Sequence, residues 1–62
     1  MTRSRTRQSL ARFAERALRL AKDSAAVYDG LLPSEAKYAD ALQLIHDSSL
    51  EVYYLALRGM EE

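Results

Sequence analysis

The stretch DGLLPSEAKYADALQLIHD, from Asp29 to Asp47, decides the fold of this chain. It holds the only proline, one of the two glycines and the only histidine. Glycine tolerates the left-handed conformation that closes many helices, and proline cannot continue a helix through its own position. We therefore predict that a first helix ends at Asp29-Gly30, with Gly30 left-handed, and that the chain then reverses its direction.

The start of a second helix has two interpretations. Ser34 can be its N-cap, with Glu35 in the first turn, where the helix dipole favours an acid. Alternatively, Pro33 is itself the first helical residue, a position that suits its fixed φ angle. In both interpretations the turn is structural, since a lone glycine offers no nest of successive N–H groups to a ligand.

Apolar residues recur at helical spacing on both sides of this turn. From Leu10 to Tyr28 they follow a 3-4 spacing, which is typical of an amphipathic helix. Gly59 is expected to stop the second helix. The predicted segments are a polar, basic and partly frayed segment 1–8, a helical hairpin 9–58 made of helix 1 (about 8–29), a turn (30–34) and helix 2 (about 35–58), and a short acidic tail 59–62.

The apolar sector of the second helix is wide. Its main stripe runs from Tyr38 to Met60, while Leu44 and Leu55 extend it on one side and Leu57 on the other. The sector covers roughly 200°, about twice that of an ordinary surface helix. Because one helix covers only one side of another, we predict an all-α antiparallel two-helix hairpin, completed by oligomerisation into a homodimeric four-helix bundle.

The small size of the chain also favours assembly. A chain of 62 residues without cysteine and with one histidine lacks the disulfides or structural zinc that stabilise many small domains. A second copy, or a helix of a partner protein, is the remaining route. The predicted interface residues are Leu10, Phe13, Ala17, Tyr28, Tyr38, Leu42, Ile45, Ser49, Val52, Tyr53 and Ala56.

The net charge is zero, but the charge is divided between the two parts of the chain. Residues 1–22 carry seven basic side chains and one acid, whereas residues 23–62 carry two basic side chains and eight acids. This asymmetry indicates self-complementary assembly or an anionic partner for the first part. A possible anion or nucleic-acid face on helix 1 consists of Arg5, Arg12, Arg16 and Arg19.

The residues that could carry chemistry do not form a catalytic set. His46 is expected at the edge of the apolar sector and Asp47 on the polar side, so the two are predicted to point in different directions. Asp47 and Glu51 are one turn apart, but their ligand set for a cation is incomplete. We therefore predict no enzymatic activity, no metal and no cofactor.

Two families resemble parts of this chain. The stretch AKYADALQLIHDSSLEVY is similar to the second helix of a tetratricopeptide or microtubule-interacting and trafficking hairpin, through Tyr38, Ala41, Leu42 and Ile45. This resemblance covers about a third of the chain and implies packed helix pairs, for which the pattern is general. The preceding Gly-x-Tyr link and the third helix of those families are missing.

The second resemblance is to the Rop-type RNA-binding hairpin, which dimerises into a four-helix bundle. It involves LARF (residues 10–13), His46, Asp47 and residues 51–53. The resemblance implies that Arg12 and Phe13 would touch RNA. The amide side chains expected on that face are absent, because Ser9 and Ala17 occupy those positions.

The sequence thus predicts a small non-enzymatic helical module for protein–protein interaction or oligomerisation, with an adaptor or regulatory role. The alternative is a nucleic-acid-binding regulator that uses the arginines of helix 1. No apolar run approaches the roughly 20 residues that span a bilayer, and a cytoplasmic location is expected. The opening MTRSRTRQSLARFA is rich in Arg, Ser and Thr and leaves mitochondrial or other organellar targeting as an alternative.

Overall fold

The computed structural model describes residues 2–61, and it describes side chains over residues 5–61. Two long helices, α1 (Thr2–Asp29) and α2 (Ala39–Glu61), pack lengthwise against each other, and a short 3₁₀ helix (Pro33–Tyr38) precedes α2. No strand occurs within residues 2–61. The molecule is a rod of 52 × 12 × 12 Å. The predicted all-α hairpin is therefore confirmed.

The first helix is longer than predicted at its N-terminal end. Helix α1 begins at Thr2, whereas the sequence pattern placed its start near residue 8. The added residues contain no glycine or proline, and their Arg and Gln side chains are good helix formers that suit a solvent-exposed face. The basic segment is thus helical from Thr2 and lacks the apolar stripe that marked the rest of the helix.

The prediction of a left-handed Gly30 was wrong. No residue within the described part of the chain, glycines included, has a positive φ angle. Instead, the Gly30 N–H donates to the carbonyl oxygens of Ala26 and Val27, both at 3.1 Å, and the Leu31 N–H donates to Tyr28 O at 3.2 Å. These hydrogen bonds tighten the last turn of α1. They also satisfy carbonyl oxygens at the end of the helix, so no left-handed residue is needed there.

The second helical segment starts at Pro33, as one of the two interpretations predicted, and Ser34 is not its N-cap. The cap is Leu32, which the following proline holds extended at φ −79° and ψ 157°. The Leu32 N–H donates to Glu35 Oε1 at 3.0 Å, and the Glu35 N–H donates to Leu32 O at 2.8 Å. Backbone and carboxylate therefore fix the chain reversal together.

Gly59 does not end the second helix, which continues to Glu61. The predicted tail 59–62 is therefore helical over residues 59–61, and residue 62 lies outside the described part. A Cβ atom at Gly59 would lie 3.1 Å from Leu10 Cδ1. The glycine thus permits a close approach of α1 to α2, and it costs the helix about 1 kcal/mol relative to alanine without breaking it.

Small side chains form the seam between the two helices. The buried residues are Ala14, Ala17, Ala21 and Ser24 of α1 and Ser49 and Ala56 of α2. Among the described residues, no large side chain is fully buried. Small residues let helix backbones approach closely, but each removes little apolar area from water. The hairpin therefore closes on a thin core.

Candidate interaction surface

An open groove with apolar walls runs along one side of the hairpin, with a volume of about 520 Å³. Its floor includes Ala17 and Ser49, both buried at the seam, and larger side chains rise on both sides. We call this feature the apolar groove. It is lined by Phe13, Arg16, Ala17, Leu20, Leu44, Ile45, Ser48, Ser49 and Val52.

The walls of the groove follow from the spacing of large residues beside the seam. On α1, Phe13, Leu20 and Val27 recur every seven residues, one helical step away from the buried alanines. On α2, Ile45 and Val52 have the same spacing. All five are exposed, Phe13 by 49% and Val52 by 48%. These side chains face water because neither helix of the hairpin covers this side of the other.

The whole molecule exposes more surface than a compact protein of its mass. Its accessible surface is 5301 Å², against about 4,000 Å² expected for a folded monomer of 7.0 kDa. Its radius of gyration is 14.7 Å, against about 11 Å for a compact domain of this length. The excess of about 1,300 Å² exceeds the roughly 800 Å² that one partner buries in a standard interface.

The structure separates the predicted interface residues into three groups. Ala17, Ser49 and Ala56 are buried in the seam between α1 and α2, and Leu10, Leu42 and Tyr53 are half-buried along it. The remaining five are exposed: Phe13, Tyr28, Tyr38, Ile45 and Val52. Of these, Phe13, Ile45 and Val52 line the apolar groove. The predicted set therefore combines residues from two different surfaces.

Sequence reasoning missed several of the most exposed apolar residues. Leu20 and Leu44 line the groove and are exposed by 49% and 66%, while Val27 and Leu55 are exposed nearby on their helices. None of the four was among the predicted interface residues. The seven-residue spacing of Phe13, Leu20 and Val27 could have revealed this second apolar row. It repeats the seven-residue spacing of the buried seam residues, displaced by one residue around the helix.

The two buried serines serve the seam. The Ser24 hydroxyl donates to Ala21 O at 2.9 Å, and the Ser49 hydroxyl donates to Ile45 O at 2.6 Å. No buried side-chain nitrogen or oxygen among the described residues lacks a partner. Serine thus provides a small side chain whose hydroxyl is satisfied within its own helix.

His46 and Asp47 are in contact, so the prediction that they point in different directions was wrong. His46 Nδ1 lies 3.4 Å from Asp47 Oδ1. Their Cα atoms differ by 100° around the helix, but side-chain rotation brings the two groups together across the helix surface. The pair is long and exposed, so it contributes little to stability. The Ser49 hydroxyl proton points to Ile45 O and not towards this pair.

The two helices carry opposite charge on their outer edges. Arg5, Arg12, Arg16 and Arg19 of α1 are all exposed, and they lie on the side of α1 opposite the seam. Asp40, Asp47 and Glu51 of α2 are also exposed and lie on its far side. Within residues 5–61 the only ion pair closer than 4.0 Å is His46–Asp47, so the basic and acidic edges do not meet within one chain.

No group of three or more His, Cys, Asp or Glu side chains among the described residues is arranged to hold a metal ion. Neither helix, over the same residues, is long and apolar enough to cross a membrane.

Comparison with known proteins leaves the fold and the groove as the basis for function. No protein-family model matches the chain, and no curated protein or solved structure matches it either.

Proposed function

We propose that this protein is a non-enzymatic helical module that oligomerises or binds a partner helix through its apolar groove. The observation that carries this proposal is that the small apolar side chains are buried and the large ones are exposed. Among residues 5–61 alanine is the only apolar residue type that is buried, while Phe13, Leu20, Leu44, Ile45 and Val52 are exposed around one groove. In an adaptor or regulatory role, the module would act by bringing helical surfaces together.

Simple energetics supports the need for a partner. Fully burying a Leu, Val, Ile or Phe side chain stabilises a protein by about 1.5–3 kcal/mol, so covering a half-exposed one contributes about 1 kcal/mol. Alanine side chains contribute much less, and folding must also overcome the entropy of ordering each residue. A hairpin held by Ala14, Ala17, Ala21 and Ala56 therefore gains its main apolar burial only when the groove is covered.

The form of the module that we favour is a homodimeric four-helix bundle. Two grooves placed face to face would bury each other's walls and give every helix two helical neighbours. Sedimentation equilibrium at micromolar concentration should give twice the chain mass of 7.0 kDa. The midpoint of thermal unfolding, followed by circular dichroism, should rise with protein concentration because association stabilises the folded state.

A matched pair of variants tests whether the groove is the surface that associates. Val52 lines the groove, and Tyr54, two residues later on α2, is more exposed and lies outside it. Val52→Asp should dissociate and unfold the protein, since a buried unpaired charge costs several kcal/mol. Tyr54→Asp should leave the mass unchanged. Equal effects of the two substitutions would contradict the proposal.

Nucleic-acid binding is a second candidate, and the outer edge of α1 is the observation that favours it. Its four arginines are exposed and have no acidic partner within 4.0 Å in the described chain. Four phosphate contacts would make the affinity strongly salt-dependent. A salt-dependent mobility shift of RNA or DNA, lost in the double variant Arg12→Glu and Arg16→Glu, would support this candidate. An unchanged shift in that variant, or none in the native protein, would exclude this arginine face.

A further inference from the structure

We infer that the groove takes a second copy of this chain in one particular arrangement, with α1 of each copy beside α2 of the other and both turns at the same end. This inference rests on the proposed function, because it specifies which partner covers the groove and how. It requires the twofold axis of the dimer to run along the length of the hairpin.

Only two twofold arrangements bring the grooves of two hairpins face to face. If the axis runs along the hairpin, α1 neighbours the partner's α2 and the turns lie together. If the axis runs across the hairpin, α1 neighbours the partner's α1 and the turns lie at opposite ends of the 52 Å rod. Both arrangements cover the same groove and give every helix antiparallel neighbours. Apolar burial and the helix dipoles therefore do not distinguish strongly between the two arrangements.

The charged edges of the hairpin distinguish the two arrangements. On α1, Arg16 forms part of the groove lining, and Arg12 and Arg19 lie within about 60° of it, further from the seam. On α2, Leu44 lies at the groove edge and Glu51 follows it further from the seam, within about 20° around the helix. Each groove therefore has arginines at its margin along α1 and one acidic residue, Glu51, at its margin along α2.

The charges also match in height along the rod. Leu10 of α1 lies beside Gly59 of α2, and Arg16 and Val52 line the same groove. In this register Glu51 is level with the turn of α1 that contains Arg16 and Arg19. A rotation about the long axis preserves height, so it brings the partner's Glu51 to Arg16 and Arg19. The twofold symmetry repeats this meeting on the other side of the bundle.

The crossed arrangement would place like charges together near the middle of the bundle. Arg16 and Arg19 of one α1 would lie beside the same arginines of the other α1, and the two Glu51 side chains would lie on adjoining edges of the α2 helices. Helix α1 carries seven basic and three acidic residues, and α2 carries one basic and four acidic residues, so the repulsion would arise on both sides. Charge complementarity across an interface selects orientation in this manner.

Distance measurement between spin labels tests the arrangement directly. The chain has no cysteine, so Ser34→Cys, at the exposed start of the 3₁₀ helix, provides a single labelling site near the turn. Double electron–electron resonance on the labelled dimer should give a distance below about 30 Å, because neighbouring helices are about 10 Å apart. A distance near the 52 Å length of the rod would overturn the inference and leave the proposed dimer intact.

Labels at the other end of the rod give a second, independent distance. Glu61→Cys lies at the exposed end of α2. In a mixture of chains carrying spectroscopically different labels, one at Ser34→Cys and the other at Glu61→Cys, the distance between unlike labels should be long if the turns lie together. A short distance between the two sites would require the crossed arrangement. A native chain that stays monomeric at all concentrations would overturn both this inference and the homodimer.

Neutralising Glu51 adds a test in which the two arrangements predict opposite signs. Glu51→Gln should weaken the dimer by about threefold in the dissociation constant if Glu51 faces Arg16 and Arg19. In the crossed arrangement the two Glu51 side chains lie on adjoining edges, so the same change would relieve acid–acid repulsion and tighten the dimer. A Glu51→Gln dimer tighter than the native dimer would overturn the inference.

Discussion

Two neighbouring faces of α1 carry apolar residues of very different size. The face towards α2 bears Ala14, Ala17 and Ala21, which are buried, whereas the adjacent face bears Phe13, Leu20 and Val27, which are about half exposed. Hydrophobicity alone therefore does not decide which residues close a two-helix hairpin. Small side chains occupy the seam because they let the backbones approach, and the large ones are left beside the seam as walls.

The two faces consequently have separate effects on stability. The seam closes the hairpin within one chain, so its contribution to the free energy of unfolding should be the same at every protein concentration. The apolar groove gains its burial from a second copy and should act through association, which depends on concentration. Substitutions on one face and on the other should thus be distinguishable by comparing unfolding at low and high concentration.

The largest effect is expected from overfilling the seam. Ala21 is 3% exposed, so Ala21→Leu should push the helices apart and destabilise the fold by about 3 kcal/mol. Ala26→Leu, at an exposed position on the same helix, is the matched control and should be close to neutral. Urea unfolding followed by circular dichroism measures both. Equal stability of the two variants would show that the seam is not closely packed.

A smaller effect is expected from removing one wall of the groove. Leu20→Ala should lower the free energy of dimerisation by about 1–2 kcal/mol per chain, since it deletes apolar area that only the partner covers. Leu32→Ala, at an exposed position next to the turn, should leave dimerisation unchanged. Sedimentation equilibrium gives the dissociation constants. A loss for Leu20→Ala that is the same at all concentrations would assign Leu20 to the hairpin itself.

Substitutions in the turn should change the stability of the hairpin and leave association through the apolar groove unchanged. Glu35→Ala removes the carboxylate that accepts the Leu32 N–H at 3.0 Å, and we expect a loss of about 0.5–1 kcal/mol. Ser34→Ala is the control, because Ser34 does not cap the 3₁₀ helix. Thermal unfolding at two concentrations should show the same shift for Glu35→Ala. A larger loss for Ser34→Ala would restore Ser34 as the cap.

The smallest effects are expected at the two glycines. A Cβ atom at Gly30 would meet Ala26 O at 3.6 Å, an ordinary contact. Gly30→Ala should therefore stabilise the protein by about 0.5 kcal/mol by restricting the unfolded chain. At Gly59 a gain in helix propensity opposes the 3.1 Å approach to Leu10, and we expect a net change below about 0.5 kcal/mol. A loss above 1 kcal/mol at Gly30 would point to a left-handed conformation.

Much of the architecture followed from local patterns in the chain. The 3-4 spacing from Leu10 to Tyr28 and the Gly-x-x-Pro turn were sufficient to predict two antiparallel helices. Periodicity works here because one residue advances 100° around a helix wherever the helix lies. The charged margins could also be recognised from spacing, since Arg12, Arg16 and Arg19 recur at intervals of three and four residues.

The sequence by itself therefore determined the helices, the reversal at Pro33 and the excess of apolar surface. Tertiary structure decided which part of that surface closes the hairpin and which part lines the groove. On α2 a sector of roughly 200° contains both faces, and only the close approach of two backbones separates the buried Ala56 from the exposed Val52. Tertiary structure also explains Gly59, which lies inside α2 and has no Cβ atom to hinder the close approach of Leu10. A residue distant in the sequence, and not the local helix propensity of glycine, therefore sets what that position requires.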